Sequence, residues 1–136
     1  YLYQIWNSPV KNPFLTDLAL YHKYRLDLPR MQQAADRFVG THDFSAFCSA
    51  GSTVQDTVRT ITEASIARSG EMVAISVTGS GFLYNMVRIM VGTLLEVARG
   101  AILPEEISGI IESRDRSRAG ATAPPHGLYL DMVFYH

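Results

Sequence analysis

The chain has a single cysteine, Cys48, in 136 residues, so it can form no internal disulfide and build no cysteine-based zinc site. One thiol fits a reducing, cytoplasmic setting. No apolar run reaches the roughly 18 residues of a transmembrane helix. The longest apolar-rich stretch, Phe82 to Ala98, is broken by Asn85, Arg88 and Glu96. Neither sign of charge is in excess: the net charge is −1, which argues against strong nucleic-acid binding by this piece alone. Basic residues do gather at Lys23, Arg25 and Arg30 and at Arg114, Arg116 and Arg118, but each group reads most simply as solvated surface. His22, His42, His126 and His136 lack metal-ligand spacing, no Gly-x-Ser-x-Gly elbow occurs, and Cys48 has no obvious base beside it. There is no signal-peptide pattern, internal repeat or low-complexity tract.

What is present is an ordinary globular composition, 47% hydrophobic and 18% charged, sized for one domain with one core over residues 1–136. Tyr1 to Trp6, aromatic and β-branched, predicts a strand. Asn7 to Leu26, with Pro9 and Pro13, reads as an irregular connection. A helix is expected from Asp27 or Leu28, with Pro29 in its first turn and Gly40 as its stop. His42 to Phe47 reads as a short turn or helix. Thr57 to Arg68 and Met72 to Thr78 predict a hairpin turning at Ser69-Gly70-Glu71. In its first strand Val58, Thr60 and Thr62 alternate with Arg59, Ile61 and Glu63; in its second, Val73, Ile75 and Val77 share a face. Phe82 to Arg99, stopped by Gly100, is the best helix, and a short one follows from Pro104 to Glu112. Leu128 to Tyr135 predicts a last strand with Leu128, Leu130, Met132 and Phe134 on one face. This order predicts an α+β fold, a mostly antiparallel sheet covered by helices, with Tyr1–Trp6 as a lone edge strand.

Chemistry has few candidates. Arg88 is the only charged residue in an otherwise apolar stretch from Phe82 to Leu95. Because arginine stays charged, it must either reach the surface, cap a loop carbonyl, or hold a carboxylate or phosphate in a cleft. Gly79-Ser80-Gly81 invites a dinucleotide reading, but the third glycine position holds Tyr84 and no βαβ unit follows; a turn with Ser80 as helix cap is the simpler reading. Asp43, beside His42, is expected to cap a turn. The loop Arg118 to Gly127 is small, proline-stiffened and too apolar for a surface linker. It suits close backbone approach, either as a packed crossover or against a flat ligand.

Three stretches together resemble the TruA-type family of tRNA pseudouridine synthases: Gly81-Phe-Leu-Tyr-Asn-Met-Val-Arg-Ile-Met-Val-Gly-Thr-Leu94, Ala119-Gly-Ala-Thr-Ala-Pro-Pro-His-Gly-Leu-Tyr-Leu130 and Gly40-Thr-His-Asp-Phe-Ser-Ala-Phe47. The resemblance implies the pseudouridine-synthase type of α+β fold and isomerisation of uridine in the tRNA anticodon stem-loop, at tRNA positions 38–40. It implies no metal or organic cofactor, a homodimer that takes tRNA across both subunits, and no membrane partner. The family's catalytic aspartate lies in an Arg-x-Asp-x-Gly-Val-His-type motif. None of Asp17, Asp27, Asp36, Asp43, Asp56, Asp115 or Asp131 has that setting, so no catalytic residue is expected in this chain. The chain would be a C-terminal domain lacking the N-terminal half, in line with its start at Tyr1 inside a strand pattern, and would be inactive alone. By resemblance, Arg88 falls on the arginine that pairs with the catalytic aspartate. Tyr1 falls on the first tyrosine of a Tyr-x-Tyr motif that stacks on the target base, and Leu128 on the apolar residue closing the uracil pocket. A non-catalytic RNA-binding or dimerisation module is the alternative.

Overall fold

A computed structural model describes residues 1–49 and 56–130. Strands β1 (Leu2–Asn7), β2 (Leu20–His22), β3 (Gly40–Asp43), β4 (Val58–Ser69), β5 (Met72–Gly79) and β6 (Leu128–Tyr129) combine with helices α1 (Leu28–Asp36), α2 (Met86–Arg99) and α3 (Glu106–Ser113). Among the described residues the sheet runs β2-β1-β5-β4-β3, with β6 also on β1, and only the β1–β2 pair is parallel. The architecture is therefore α+β with a mostly antiparallel sheet, as the element order predicts. Among the described residues, no helix is long and apolar enough to cross a membrane.

One sheet face carries the core. Tyr3 and Ile5 of β1 stand opposite Ile75 and Val73 of β5, and Ile75 stands opposite Ile66 of β4. Tyr3, Ile5, Val73 and Ile75 are fully buried, together with Met31, Ala34 and Ala35 of α1 and Ile89, Met90 and Val91 of α2. Each large side chain removed from water in this way contributes about 1.5–3 kcal/mol. Phe38 and Phe47 meet edge to face at 5.2 Å and seal the end of the core beside α1.

Several expectations change. Far from being a lone edge strand, β1 lies inside the sheet and pairs with β2, β5 and β6. The connection after it contains β2, three residues too short to show a pattern. Side-chain bonds from buried Asn7 hold that segment: its Nδ2 donates to His22 O (3.0 Å) and Tyr24 O (2.6 Å). Helix α1 opens as expected, Asp27 accepting from Arg30 N, but ends at Asp36. Residues 37–39 wind on through i→i−3 bonds, and Gly40 begins β3 at φ +122° instead of stopping the helix. His42 to Phe47 divides between β3 and a 3₁₀ turn, Ser45–Phe47. In β4 a bulge between Ile61 and Glu63 shifts the alternation, so that Ile61 and Ala64 are buried while Thr62 and Glu63 are both exposed. On β5 the expected face of Val73, Ile75 and Val77 is buried. Helix α2 starts four residues later than predicted, at Met86. Ser80 does not cap it; its Oγ accepts from Thr60 N. Of the last strand, Leu128–Tyr129 pairs with β1 and Leu130 is exposed. Met132, Phe134 and the rest of that predicted strand lie outside the described residues.

Candidate functional site

The end of β1, the turn before α2 and the start of β6 converge on one cleft of about 310 Å3, lined by Tyr1, residues 82–88 and Leu128. All three residues singled out from the sequence, Tyr1, Arg88 and Leu128, lie on its wall. The pairing of β1 with β5 and β6 brings Tyr1 and Leu128 to this end, since Tyr3 is in register with both Leu128 and Ile75. The Tyr1 backbone exchanges two 2.9 Å hydrogen bonds with Val77, and its ring meets Phe82 edge-on at 5.0 Å and 86°. Phe82 thus props the Tyr1 ring and leaves it half-exposed in the cleft.

Arg88 projects from the first turn of α2 and is half-buried. Its Nε donates to Ala123 O at 2.7 Å, and its Nη1 to Asn85 Oδ1 at 3.0 Å. The Ala123 amide returns a 3.0 Å bond to the Arg88 carbonyl, so one residue of the small-residue loop grips Arg88 at both ends. Among the described residues no carboxylate forms an ion pair with Arg88, and no hydrogen bond uses its Nη2. Loop-carbonyl capping and exposure to a cleft therefore occur together, and a structural ion pair within the described chain does not.

The loop reaches Arg88 because two glycines let backbones touch. A Cβ on Gly92 would overlap the Ala121 carbonyl oxygen, and one on Gly120 would lie 2.7 Å from Gly92 C and Thr93 N. Thr93 Oγ1 locks the crossing by accepting from Gly120 N at 2.9 Å while donating to Ile89 O. The lone arginine and the unusual loop, separate oddities in the sequence, are one structural unit.

Beneath the loop, fully buried Tyr3 donates its hydroxyl to Pro124 O at 2.7 Å. Burial pushes this phenol up to about 12, against the opposing pull of the Arg88 guanidinium. Away from the cleft, Asp43 behaves as the turn cap expected of it. Bonds from Thr57 Oγ1 (2.5 Å) and Ser45 N (3.1 Å), with Arg114 at 3.4 Å, hold its carboxyl below the usual range.

Sequence reasoning missed Asn85. It occupies the N-cap position of α2 in the left-handed region, at φ 60° and ψ 13°, yet makes no side-chain cap bond. Its Oδ1 accepts from Arg88, and its Nδ2 donates to Ser49 Oγ at 2.9 Å. The only signal for it was its place three residues before Arg88, where side chains meet on a helix.

A half-exposed aromatic face, an apolar wall and a guanidinium held by neutral acceptors can together receive a flat ring and an anionic group in one pocket. The family model described as tRNA pseudouridine synthase matches residues 34–136. The chain belongs to this family. It is 52% identical over 135 residues to the tRNA pseudouridine synthase A of Acetivibrio thermocellus, covering 99% of this chain and 55% of the relative. With that of Anoxybacillus flavithermus the identity is 50% over 135 residues, covering 99% and 54%. With that of Bacillus subtilis it is 45% over 135 residues, covering 99% and 55%. The chain spans about half the length of the curated relatives it matches.

Proposed function

We propose that the full-length protein is a tRNA pseudouridine synthase, isomerising uridine to pseudouridine in the anticodon stem-loop, and that this chain forms one wall of its active-site cleft as a C-terminal domain. The observation that carries the reading is the set of three cleft residues. Arg88 has Nη2 uncommitted among the described residues, Tyr1 offers a propped ring face, and Leu128 supplies an apolar side. The nucleophilic or basic carboxylate comes from outside this chain, which covers about 55% of relatives named for the whole enzyme. In this reaction the carboxylate attacks or deprotonates the ribose while the uracil detaches, turns and rejoins through carbon. Arg88 holds the carboxylate ionised and oriented. Stacking on Tyr1 replaces the neighbours the flipped uridine loses, and Leu128 keeps the pocket dry, which strengthens the arginine–carboxylate pair. The protein works in the cytoplasm as a homodimer on tRNA, without metal or organic cofactor.

Arg88→Ala in the full-length protein tests this. Pseudouridine formation on undermodified tRNA is expected to fall at least about 100-fold, the scale of losing a charged group that acts at the reacting centre, with tRNA affinity nearly unchanged. Survival of modification alongside weakened binding would instead make Arg88 a binding residue only.

A further inference from the structure

We propose that Asn85 is a positioning residue that sets the orientation of the Arg88 guanidinium; this rests on the reading that Arg88 meets a carboxylate in the cleft. Two otherwise unexplained features at Asn85 share one cause. A non-glycine residue in the left-handed region is uncommon, and its persistence needs support from its surroundings. An asparagine at an N-cap ordinarily bonds the first-turn amides, and this one does not. The left-handed turn instead aims its amide along the helix face, where Oδ1 takes Arg88 Nη1 at 3.0 Å. Its Nδ2 is spent on Ser49 Oγ at 2.9 Å. Arg88 fixes which end of the amide faces it: a guanidinium only donates, so the oxygen must point to Arg88, and the nitrogen is left to donate to the Ser49 hydroxyl, which can take either role.

The guanidinium is thereby held on two sides, by Ala123 O at Nε and by Asn85 Oδ1 at Nη1. Both holders are neutral. They fix the plane of the fork without neutralising its charge, so the full positive charge remains for an anion in the cleft. A carboxylate at position 85 would orient Arg88 as well and would cancel that charge. Asparagine also tolerates the left-handed backbone better than most residues. Together these requirements account for an asparagine here better than either does alone.

The test uses the full-length protein with undermodified tRNA and compares Asn85→Gly, Asn85→Asp and Arg88→Ala with wild type. Glycine adopts φ 60° without strain and removes only the side-chain bonds. Relief of the left-handed strain offsets part of the two lost bonds, so Asn85→Gly should melt within a few degrees of wild type, with kcat for pseudouridine formation down about 10- to 100-fold and KM for tRNA within about twofold. Asn85→Asp keeps an acceptor and the backbone preference but adds charge, and its kcat should fall at least as far. Wild-type kcat in Asn85→Gly would overturn the proposal, leaving Asn85 as a turn residue only. So would full activity in Asn85→Asp, because cancelling the charge would then be harmless. Arg88→Ala separates the two claims. If it is inactive while Asn85→Gly is normal, only the Asn85 assignment fails; if Arg88→Ala is itself normal, the reading of Arg88 fails first.

Discussion

Gly92→Ala puts a number on the link between the loop and α2. In an exposed helix interior the change should stabilise by about 1 kcal/mol, because alanine is the better helix former. Here the added methyl would overlap Ala121 O and sit 2.9 Å from Ala121 C. Both are backbone atoms, so no side chain can swing aside. The loop must withdraw, which overpacks or opens the crossing at a cost of about 3 kcal/mol. Withdrawal also breaks the Gly120–Thr93 hydrogen bond, for about 1 kcal/mol more. The net loss is about 3 kcal/mol, or a melting temperature lower by about 10 °C in a domain this size. Thermal unfolding of the full-length protein followed by circular dichroism measures it. Because the same loop holds Arg88 through Ala123, pseudouridine formation should drop even well below the melting temperature. A melting temperature equal to or above wild type would refute the close crossing, since helix propensity would then be the only effect.

Tyr3→Phe removes the bond to Pro124 O and should cost about 1 kcal/mol at neutral pH. The raised phenol adds a pH signature. The folded state holds this proton up to about 12 against an ordinary 10.0, so its contribution is intact below pH 10 and is lost as pH rises through 12. Denaturant unfolding at a series of pH values should show wild type losing stability more steeply than Tyr3→Phe across that range. Asp43 has the opposite sign. Its depressed carboxyl stabilises the fold above the ordinary value of 3.8, and that contribution disappears as pH falls below it. Asp43→Ala should therefore lower stability by about 1 kcal/mol at pH 7, with the gap closing in acid; a gap unchanged at low pH would mean the loss is not ionic.

Patterns that repeat within one element were legible in the sequence. The apolar face of β5 came from its alternation, α2 was found as the best helix, and Arg88 stood out as the one charge in an apolar stretch. What escaped depends on single residues acting across the fold. Strand β2 has three residues and is held through the Asn7 side chain, which no local pattern reveals. The bulge in β4 inserts one residue and reverses the faces beyond it, so strict alternation assigned them wrongly. The late start of α2 follows from one left-handed residue, Asn85, whose polar group serves Arg88 instead of the helix end. Likewise the loop and the arginine were each noticed, but their union rests on a glycine-to-glycine crossing between residues 92 and 120, a distance no spacing rule encodes. The family resemblance supplied roles for Tyr1, Arg88 and Leu128, and the fold sets all three around one cleft.

The central claim is that this chain supplies a receiving wall and that the reacting carboxylate comes from elsewhere in the protein. The most direct measurement is a pseudouridine assay on undermodified tRNA with the 136-residue chain and the full-length protein side by side. Pseudouridine formed by the full-length protein alone is the predicted result. Activity in the 136-residue chain would mean that one of its own carboxylates is catalytic, and inactivity in both would contradict the assignment of the reaction itself.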